Sequence, residues 1–452
     1  MVSPRYSTMH DLKAILHAHQ DKTALIWRSK SLSYSQLSLL VEQQAVWLKE
    51  QDIRPGSVVG LSGDFSDQSI SVLLALLSQN FVMAMLPSGR SDLGELCNLI
   101  HVDWLIDTSG AKPEARRLEQ NGDYHPLVAG LFEQQEAGFV IFSSGSSGRP
   151  KPILHSLPKF LKKYERANKP FITLSFLLLD HIAGIDTLFY ILFSGGTLVA
   201  PEERGAHYIC KLIEHTGVEV LPVSPSFLNL LWLSGDFETH DLSSVQIVTY
   251  GSEPMTQQNL DNVQQIFPNA IIKQKYGTSE FGSPSSKSRG NDQLWIKLEG
   301  DGFQTKVIDD TLFIKSETTM LGYLDDSEPM FVDGWYNTGD KVDVDGEWVK
   351  ILGRDSDMIN VGGEKVFPSE VEAIIQTVEG VIESSVYGEP NPITGQIVCA
   401  KIYISHETDQ KATKKSIKRA CANNLPRYKV PMRIKFTDAP LTNKRQKKIR
   451  TG

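Results

Sequence analysis

Phe139-Val140-Ile141-Phe142-Ser143-Ser144-Gly145-Ser146-Ser147-Gly148-Arg149-Pro150-Lys151 runs from a short apolar stretch into a serine–glycine turn and out onto a lysine. Four apolar residues bounded by turn residues read as a buried strand. Small residues let the backbone turn sharply and aim successive N–H groups at one point, where a phosphate fits. The serine hydroxyls add donors and Lys151 adds a point charge. The Walker spacing GxxxxGK[ST] is missing, so any phosphate would be held by a different design. Taken alone, the stretch also reads as a flexible Ser/Gly linker, although linkers do not normally follow a buried strand directly.

Outward from this loop, residues 40–280 alternate between strand and helix patterns. Val58–Ser62, Trp104–Asp107, Thr197–Ala200, Val218–Val223 and Val245–Tyr250 are short apolar runs closed by turn residues. Ser69–Gln79, Phe227–Trp232 and Thr256–Ile266 carry helical spacing. Such alternation predicts parallel sheets with helices packed outside. From about Gln293 the pattern shifts to short alternating segments, among them Leu294–Leu298, Leu312–Lys315 and Trp348–Leu352, which predict a small antiparallel region. After Gly353-Arg354 a compact unit begins, with a helix at Glu370–Val378 and strands at Val381–Val386 and Ile397–Ile404. The fold class expected is α/β: a large N-terminal domain, 1–353, of parallel-type sheets plus an antiparallel region. A small mobile α+β domain, 354–452, follows.

Composition narrows the function classes. The chain has 452 residues and a net charge of −8, yet 411–450 holds fourteen Lys/Arg against one acid, Asp438. A basic tail reads as a solvated face or a site for an anionic partner. The acidic remainder and the lack of a DNA or RNA module argue against a nucleic-acid binder. The start of the chain has no secretory pattern. The apolar region Phe171–Pro201 is interrupted by Asp180, His181 and Asp186 and falls short of the ~18 apolar residues of a membrane span. The cysteines Cys97, Cys210, Cys399 and Cys421 form no CxxC pair, which fits small core residues in a reducing cytoplasm.

Two further motifs carry chemistry. Gln274-Lys275-Tyr276-Gly277-Thr278-Ser279-Glu280 follows the apolar run Ala270–Ile272. A carboxylate beside a triphosphate holds Mg²⁺, which prefers oxygen ligands, and an aromatic stacks on a base. Alone, this Tyr-Gly reads more simply as a turn. Trp335-Tyr336-Asn337-Thr338-Gly339-Asp340, with Gly353-Arg354 beyond it, places an Asp suited to a ribose diol near an Arg that clamps hydroxyl or phosphate. Its simpler reading is a hairpin turn plus a surface ion pair.

In this order the motifs resemble the ANL superfamily of adenylating enzymes: acyl-CoA synthetases, nonribosomal-peptide adenylation domains and firefly-type luciferases. The resemblance spans about residues 20 to 450. The loop 143–151 is similar to TSGTTGxPK, Tyr276–Glu280 to YGxTE with Ser279 in place of Thr, and Tyr336–Asp340 to YxTGD. The run from Gly353 through Ser356, Gly362-Gly363-Glu364 and Pro368-Ser369-Glu370 is similar to the family's hinge and the start of its C-terminal domain.

The resemblance implies roles. Ser143, Ser144, Gly145, Ser146, Ser147, Gly148 and Lys151 would cradle the ATP phosphates and then pyrophosphate. Glu280 would hold Mg²⁺. Tyr276 and Gly277 would flank the adenine, with Gly251, Ser252 and Glu253 against its other side. Asp340 and Arg354 would bind the ribose. Ser356 stands at the hinge, where the family usually has Asp or Lys. Gly362, Gly363 and Glu364 would line the pantetheine tunnel. The family's terminal pattern PxTxxGKxxR is matched imperfectly by Pro440 to Arg450. Strict counting lands on Gln446, and one inserted residue brings Lys447 into register with Arg450, so Lys447 is assigned as catalytic lysine with Lys448 and Lys444 behind it.

Asp180-His181-Ile182-Ala183-Gly184 resembles the FHxxG segment of CoA ligases. His181 stands where amino-acid-activating relatives carry an Asp, which points to a fatty or aromatic acid, with His181 in its pocket. The implied reaction is ATP-dependent carboxylate adenylation, then thioester formation by an acyl- or aryl-CoA ligase. The acceptor would be coenzyme A or the phosphopantetheine of a separate, acidic acyl carrier protein. A nucleotide-binding paralogue with weakened catalysis is the remaining alternative.

Overall fold

The computed structural model describes residues 9–90, 92–119, 122–144, 149–164, 169–300, 302–325, 331–404 and 408–441. Two seven-stranded sheets form the body. The first runs, edge to edge, through Ile271–Gln274, Ile247–Tyr250, Val220–Val223, Ile172–Leu174, Thr197–Val199, Thr23–Trp27 and Lys30–Ser33. It is parallel except for the last hairpin. The second runs through Gly322–Tyr323, Pro150–Ser156, Gly138–Ser144, Val82–Leu86, Val58–Ser62, Trp104–Asp107 and Glu114–Arg117. Its four central strands are parallel and its edges antiparallel.

Burial explains why these runs are strands. Every residue of Val58–Ser62 and of Val82–Leu86 is buried, as expected of parallel strands covered on both faces. Helix Asp67–Leu77 is buried from Ser69 to Leu77, so it is an interior helix rather than a surface one. Together with Tyr34–Glu50 and Ile182–Ser194 it forms one core that joins Leu25 and Leu198 of the first sheet to Leu61 and Met83 of the second. Local signals fix the helix ends. Ser33 and Gln36 make a reciprocal capping box, Ser66 accepts from the Ser69 N–H, and Gly195 closes its helix at φ 67°.

The third sheet is antiparallel, in the order Ser285–Ser288, Ile296–Glu299, Trp348–Arg354, Trp335–Asp345, Thr311–Ser316 and Phe303–Ile308. Its last strand in the chain ends on Arg354, and a short 3₁₀ turn, Asp355–Asp357, leads to the fourth sheet. That sheet pairs Glu364–Val366, Ile359–Val361, Gly395–Ile404 and Val381–Asn391, with Arg433–Thr437 parallel to Gly395–Ile404. Helices Pro368–Ile375 and Gln410–Asn424 cover it through Val371, Ile375, Ile417 and Cys421. It touches the larger part through Asn229 Nδ2, which donates to the Ile382 carbonyl at 3.0 Å, and Ser369 Oγ, which donates to the Leu352 carbonyl at 2.7 Å.

The expected α/β fold is present, with local differences. Val218 and Val245 are buried but precede their strands, because apolarity marks a core position without distinguishing ladder from turn. The hairpin 381–404 pairs through its polar tip, with Pro390 opposite Gln396. Trp335–Asp340 is no hairpin turn but the first half of an eleven-residue strand. All four cysteines are buried and unpaired. Among the described residues no helix is long and apolar enough to cross a membrane.

Candidate active site

Strand Ile271–Gln274 delivers Lys275 to Glu280 to the carboxyl edge of the first sheet, where a parallel sheet presents its ligands. Thr278 and Gly282 exchange backbone hydrogen bonds at 3.2 and 2.9 Å, which folds Ser279 and Glu280 into a tight turn. A Cβ on Gly277 would lie 2.4 Å from the Gly282 carbonyl oxygen, so only glycine fits there. The Glu280 N–H donates to Thr278 Oγ1 at 3.2 Å, and Met320 N–H donates to the Glu280 carbonyl at 2.6 Å. His155 Nε2 donates to the Ser279 carbonyl at 2.7 Å. Burial pushes the His155 imidazole down to about 4, so it stays neutral and its carbonyl partner selects the Nε2–H tautomer.

The buried Glu280 carboxylate accepts from Tyr323 Oη at 3.1 Å. Above the Tyr323 ring lies Lys151 Nζ, 5.1 Å from its centroid. Lys151 stands opposite Ser143, and Pro150 opposite Ser144, on neighbouring antiparallel strands. The stems of the serine–glycine loop therefore open beside Glu280. Gly145, Ser146, Ser147 and Gly148, like Lys444, Lys447 and Lys448, lie outside the described residues.

Asp340 arises from a distortion within its strand. Gly339 takes φ 68°, its N–H donates to Asn337 Oδ1 at 3.0 Å, and the Asp340 N–H donates to Thr338 Oγ1 at 3.0 Å. Thr338 Oγ1 in turn donates to the Leu312 carbonyl at 2.7 Å. The ladder slips one residue between Lys341 and Val342, a bulge next to this turn of the strand. Tyr276 Oη donates to Asp340 Oδ2, and Arg354 Nε, directly across the ladder, stands 3.5 Å from Oδ1. Burial pushes the Asp340 carboxyl up while Arg354 and Tyr276 draw it back. Arg354 keeps about half its side chain (56%) exposed, at the rim, and the field of Asp340 and Glu280 outweighs burial and holds its guanidinium charged. Burial and the nearby Glu280 raise the Tyr336 and Tyr323 phenols, so both remain donors. Lys151, Tyr323, Glu280, Arg354, Asp340 and Tyr276 thus form one connected polar seam.

Beneath the seam is a cavity of about 230 Å³ between the first sheet and helix Ile182–Ser194. Gly251, Ser252, Tyr276 and Gly277 line one end, and His181, Ile182 and Ala183 line its side. Ser252 takes φ 68°, and a Cβ on Gly251 would lie 2.7 Å from the Lys275 carbonyl oxygen, which accounts for the small residues. His181 caps its helix, with Nδ1 accepting from the Ala183 N–H at 3.2 Å. Glu253 turns away from this wall and accepts from Ser226 Oγ at 2.6 Å and from its N–H at 3.2 Å. Ser356 Oγ donates to Asp357 Oδ1 at 3.3 Å in the turn after Arg354. Gly362 and Gly363, at φ 65° and 93°, make an exposed two-residue hairpin loop beside Glu364, away from the seam's own hydrogen bonds.

Sequence reading missed Tyr323 and His155. Tyr323 lies in a two-residue strand with no periodicity, and an isolated His carries no signal. Lys273 and Lys275 also line the cavity. Their i, i+2 spacing with Gly277 on one strand was a usable signal. Among the described residues no group of three His, Cys, Asp or Glu suits a metal ion. A magnesium ion needs less, because it takes one or two carboxylates and fills its remaining positions with phosphate oxygens and water. Glu280 fits that donor set.

Comparison with known proteins agrees with this geometry. The family model described as AMP-binding enzyme matches residues 12–101 and 89–324, and that of the AMP-binding enzyme C-terminal domain matches 370–448. The chain is similar to a 2-succinylbenzoate–CoA ligase of Listeria monocytogenes, 26% identical over 92% of each chain. It is also similar to a long-chain-fatty-acid–CoA ligase of Mycobacterium tuberculosis, 26% identical over 77% of this chain and 72% of that one. In fold it is similar to the anthranilate CoA ligase AuaEII in complex with anthranoyl-AMP, with a TM-score of 0.81 at 20% identity over 100% and 97% of the two chains. Bacillus subtilis o-succinylbenzoate CoA synthetase with its acyl-adenylate gives a TM-score of 0.78 at 18% identity, over 97% of this chain and 96% of that one. The two family models together match well over half of the residues, on either side of the Asp340–Arg354 pair: the chain belongs to the AMP-binding enzyme family.

Proposed function

We propose that this chain is an AMP-forming acid–thiol ligase that adenylates a carboxylic acid and then forms its thioester. The observation that carries this is the polar seam: Lys151 stands over Tyr323, which donates to Glu280, while Arg354 pairs with Asp340 and feels the field of Glu280, and Tyr276, bonded to Asp340, lines the cavity. Asp340 and Arg354 receive the ribose, and Tyr276 flanks the adenine. The 143–151 loop and Lys151 hold the outgoing phosphates. Glu280 holds the magnesium, which would supply charge neutralisation at the phosphates. The acid lies in the cavity, and its carboxylate oxygen attacks the α-phosphorus in line, breaking the bond to pyrophosphate. Lys447 stabilises the charge that develops. Catalysis comes from positioning and preorganised charge, without a protein nucleophile.

In the second step a thiolate attacks the acyl carbonyl and AMP leaves. The small domain, 354–452, pivots about Gly353–Ser356 between the steps, and Gly362, Gly363 and Glu364 then line the pantetheine path. Coenzyme A is the preferred thiol. A carrier protein is favoured as a second acceptor by one feature. Lys411, Lys414, Lys415, Lys418 and Arg419 stand exposed on helix Gln410–Asn424, a face that would steer an acidic partner. Four free, buried cysteines favour the cytoplasm.

The test is carboxylate-dependent ATP–pyrophosphate exchange across fatty, benzoic, cinnamic and amino acids, followed by thioesterification with coenzyme A and with a holo-carrier protein. Exchange with a fatty or aromatic acid is expected. Nucleotide binding without exchange would make the chain a non-catalytic paralogue. Rates at least tenfold higher with the carrier would reverse the order of acceptors.

A further inference from the structure

The cavity wall follows from strand pleating. Alternate residues of adjacent parallel strands line the cavity beside helix Ile182–Ser194: Val220 and Pro222, Ile247 and Thr249, then Lys273, with Lys275 and Gly277 continuing the alternation in the extended segment past the strand's end at Gln274. Residues two apart on one face stand about 7 Å apart along the strand. Lys275 therefore sits one step deeper than Gly277 at the nucleotide end, and Lys273 one step deeper again. Two lysines thus line a cavity whose other lining on this wall is apolar or hydroxyl-bearing.

The cavity's carboxylate does not balance them. Asp186, on the facing helix, is ion-paired with Lys163 and accepts a hydrogen bond from Tyr164 Oη. Among the described residues no carboxylate is ion-paired with Lys273 or Lys275. Lys275 keeps solvent access through the open cavity, yet the surrounding protein still pushes its ammonium below the usual lysine range; Asp186 opposes this, while Lys273 and Lys163 add to it. Like charges lining one cavity disfavour each other unless an anion arrives between them. A fatty tail would leave both charges unmatched, whereas an acid with a second anionic group would match one or both.

We propose that the acyl cavity selects an acid bearing a second carboxylate, or an equivalent anionic group, bound by Lys275 and Lys273 remote from the carboxylate that reacts. This rests on the adenylating reading above for the identity of the reacting end. It replaces a purely apolar acyl pocket with one that reads charge at depth. A volume of about 230 Å³, near the lower end for small-molecule pockets, suits a short or medium diacid.

The test uses α,ω-dicarboxylic acids of graded length and benzenedicarboxylic acids, each beside its monomethyl ester. Binding is measured by calorimetry with a non-hydrolysable ATP analogue present, and turnover by pyrophosphate exchange. The wild-type protein is expected to bind at least one diacid tenfold or more tighter than its ester. Lys275→Met and Lys275→Gln, checked for a cooperative melt, are expected to abolish that preference while keeping ester binding. Equal wild-type binding of every diacid and its ester overturns the proposal. So does an equal loss for diacid and ester in both Lys275 variants, which would put the lysine on the reacting carboxylate. A diacid preference in binding with no exchange for any acid would support the anion subsite and defeat the adenylating reading instead.

Discussion

The seam and the cavity meet at the segment that follows strand Ile271–Gln274 yet are finished in opposite ways. In the seam every named polar group already has a protein partner: Glu280 has Tyr323, and Asp340 has both Tyr276 and Arg354. In the cavity Lys273 and Lys275 have no carboxylate ion-paired with them among the described residues, and Asp186, which also lines it, is ion-paired with Lys163. A site whose groups are satisfied before the ligand arrives undergoes little reorganisation, which is how charge-stabilising catalysis works. A site left with surplus charge is completed by its ligand, which is how specificity arises. On the proposed reading, the seam would carry the family's common chemistry and the cavity what is particular to this chain.

The comparison can be broken at its strongest point first. Lys447→Ala is expected to lower pyrophosphate exchange by about 10²- to 10³-fold, the usual cost of losing one transition-state contact, with ATP binding retained. Unchanged exchange would move the role to Lys448 or Lys444. Glu280→Ala is expected to cost about 10²-fold and to raise the magnesium requirement, while the melt stays cooperative. Loss of the melt would make Glu280 structural. Asp340→Asn should weaken ATP by about tenfold in KM, since a hydrogen bond to a charged group contributes about 1.5–3 kcal/mol, and leave the acid's KM nearly unchanged. A parallel rise in both constants would mean that seam and cavity are one unit.

Smaller effects sharpen the picture. Gly277→Ala, with its Cβ 2.4 Å from a carbonyl oxygen, should destabilise the fold by about 1–3 kcal/mol in denaturant titration. His155 is neutral in the fold, with a value of about 4 against 6.5 for the unfolded chain. Between these values the unfolded state binds more protons, so stability falls as the pH drops from about 6.5 to 4, by at most about 3 kcal/mol. Denaturant titrations at both ends of that window should show the loss in the wild-type protein and a flatter profile in His155→Gln.

What could be read from sequence follows the same division. Motif residues with a fixed local geometry were legible: Gly277, Gly339 and Gly251 sit where only a small or left-handed residue fits, and each marked a turn beside a functional side chain. The sheets were legible where apolar runs are buried on both faces, as in Val58–Ser62. Tyr323 was not, because it reaches Glu280 from a strand that pairs with Pro150–Ser156, about 170 residues earlier. Nor was the cavity's charge. Lys275 was quoted within a motif, but only the folded arrangement shows that it lines the cavity with Lys273. Glu253 was legible as part of its motif, while the hydrogen bonds its carboxylate accepts from Ser226, 27 residues earlier, were not.

Strand Thr23–Trp27, with its hairpin partner Lys30–Ser33, joins the rest of its sheet through Thr197–Val199, and that sheet ends at Ile271–Gln274. The interior helix Asp67–Leu77 belongs to a core drawn from both large sheets. During synthesis, well over half the polypeptide must therefore leave the ribosome before either sheet has its covering layers. The early segment waits with apolar surface exposed, so this protein's yield in the cell will depend on chaperone supply more than its final stability would imply.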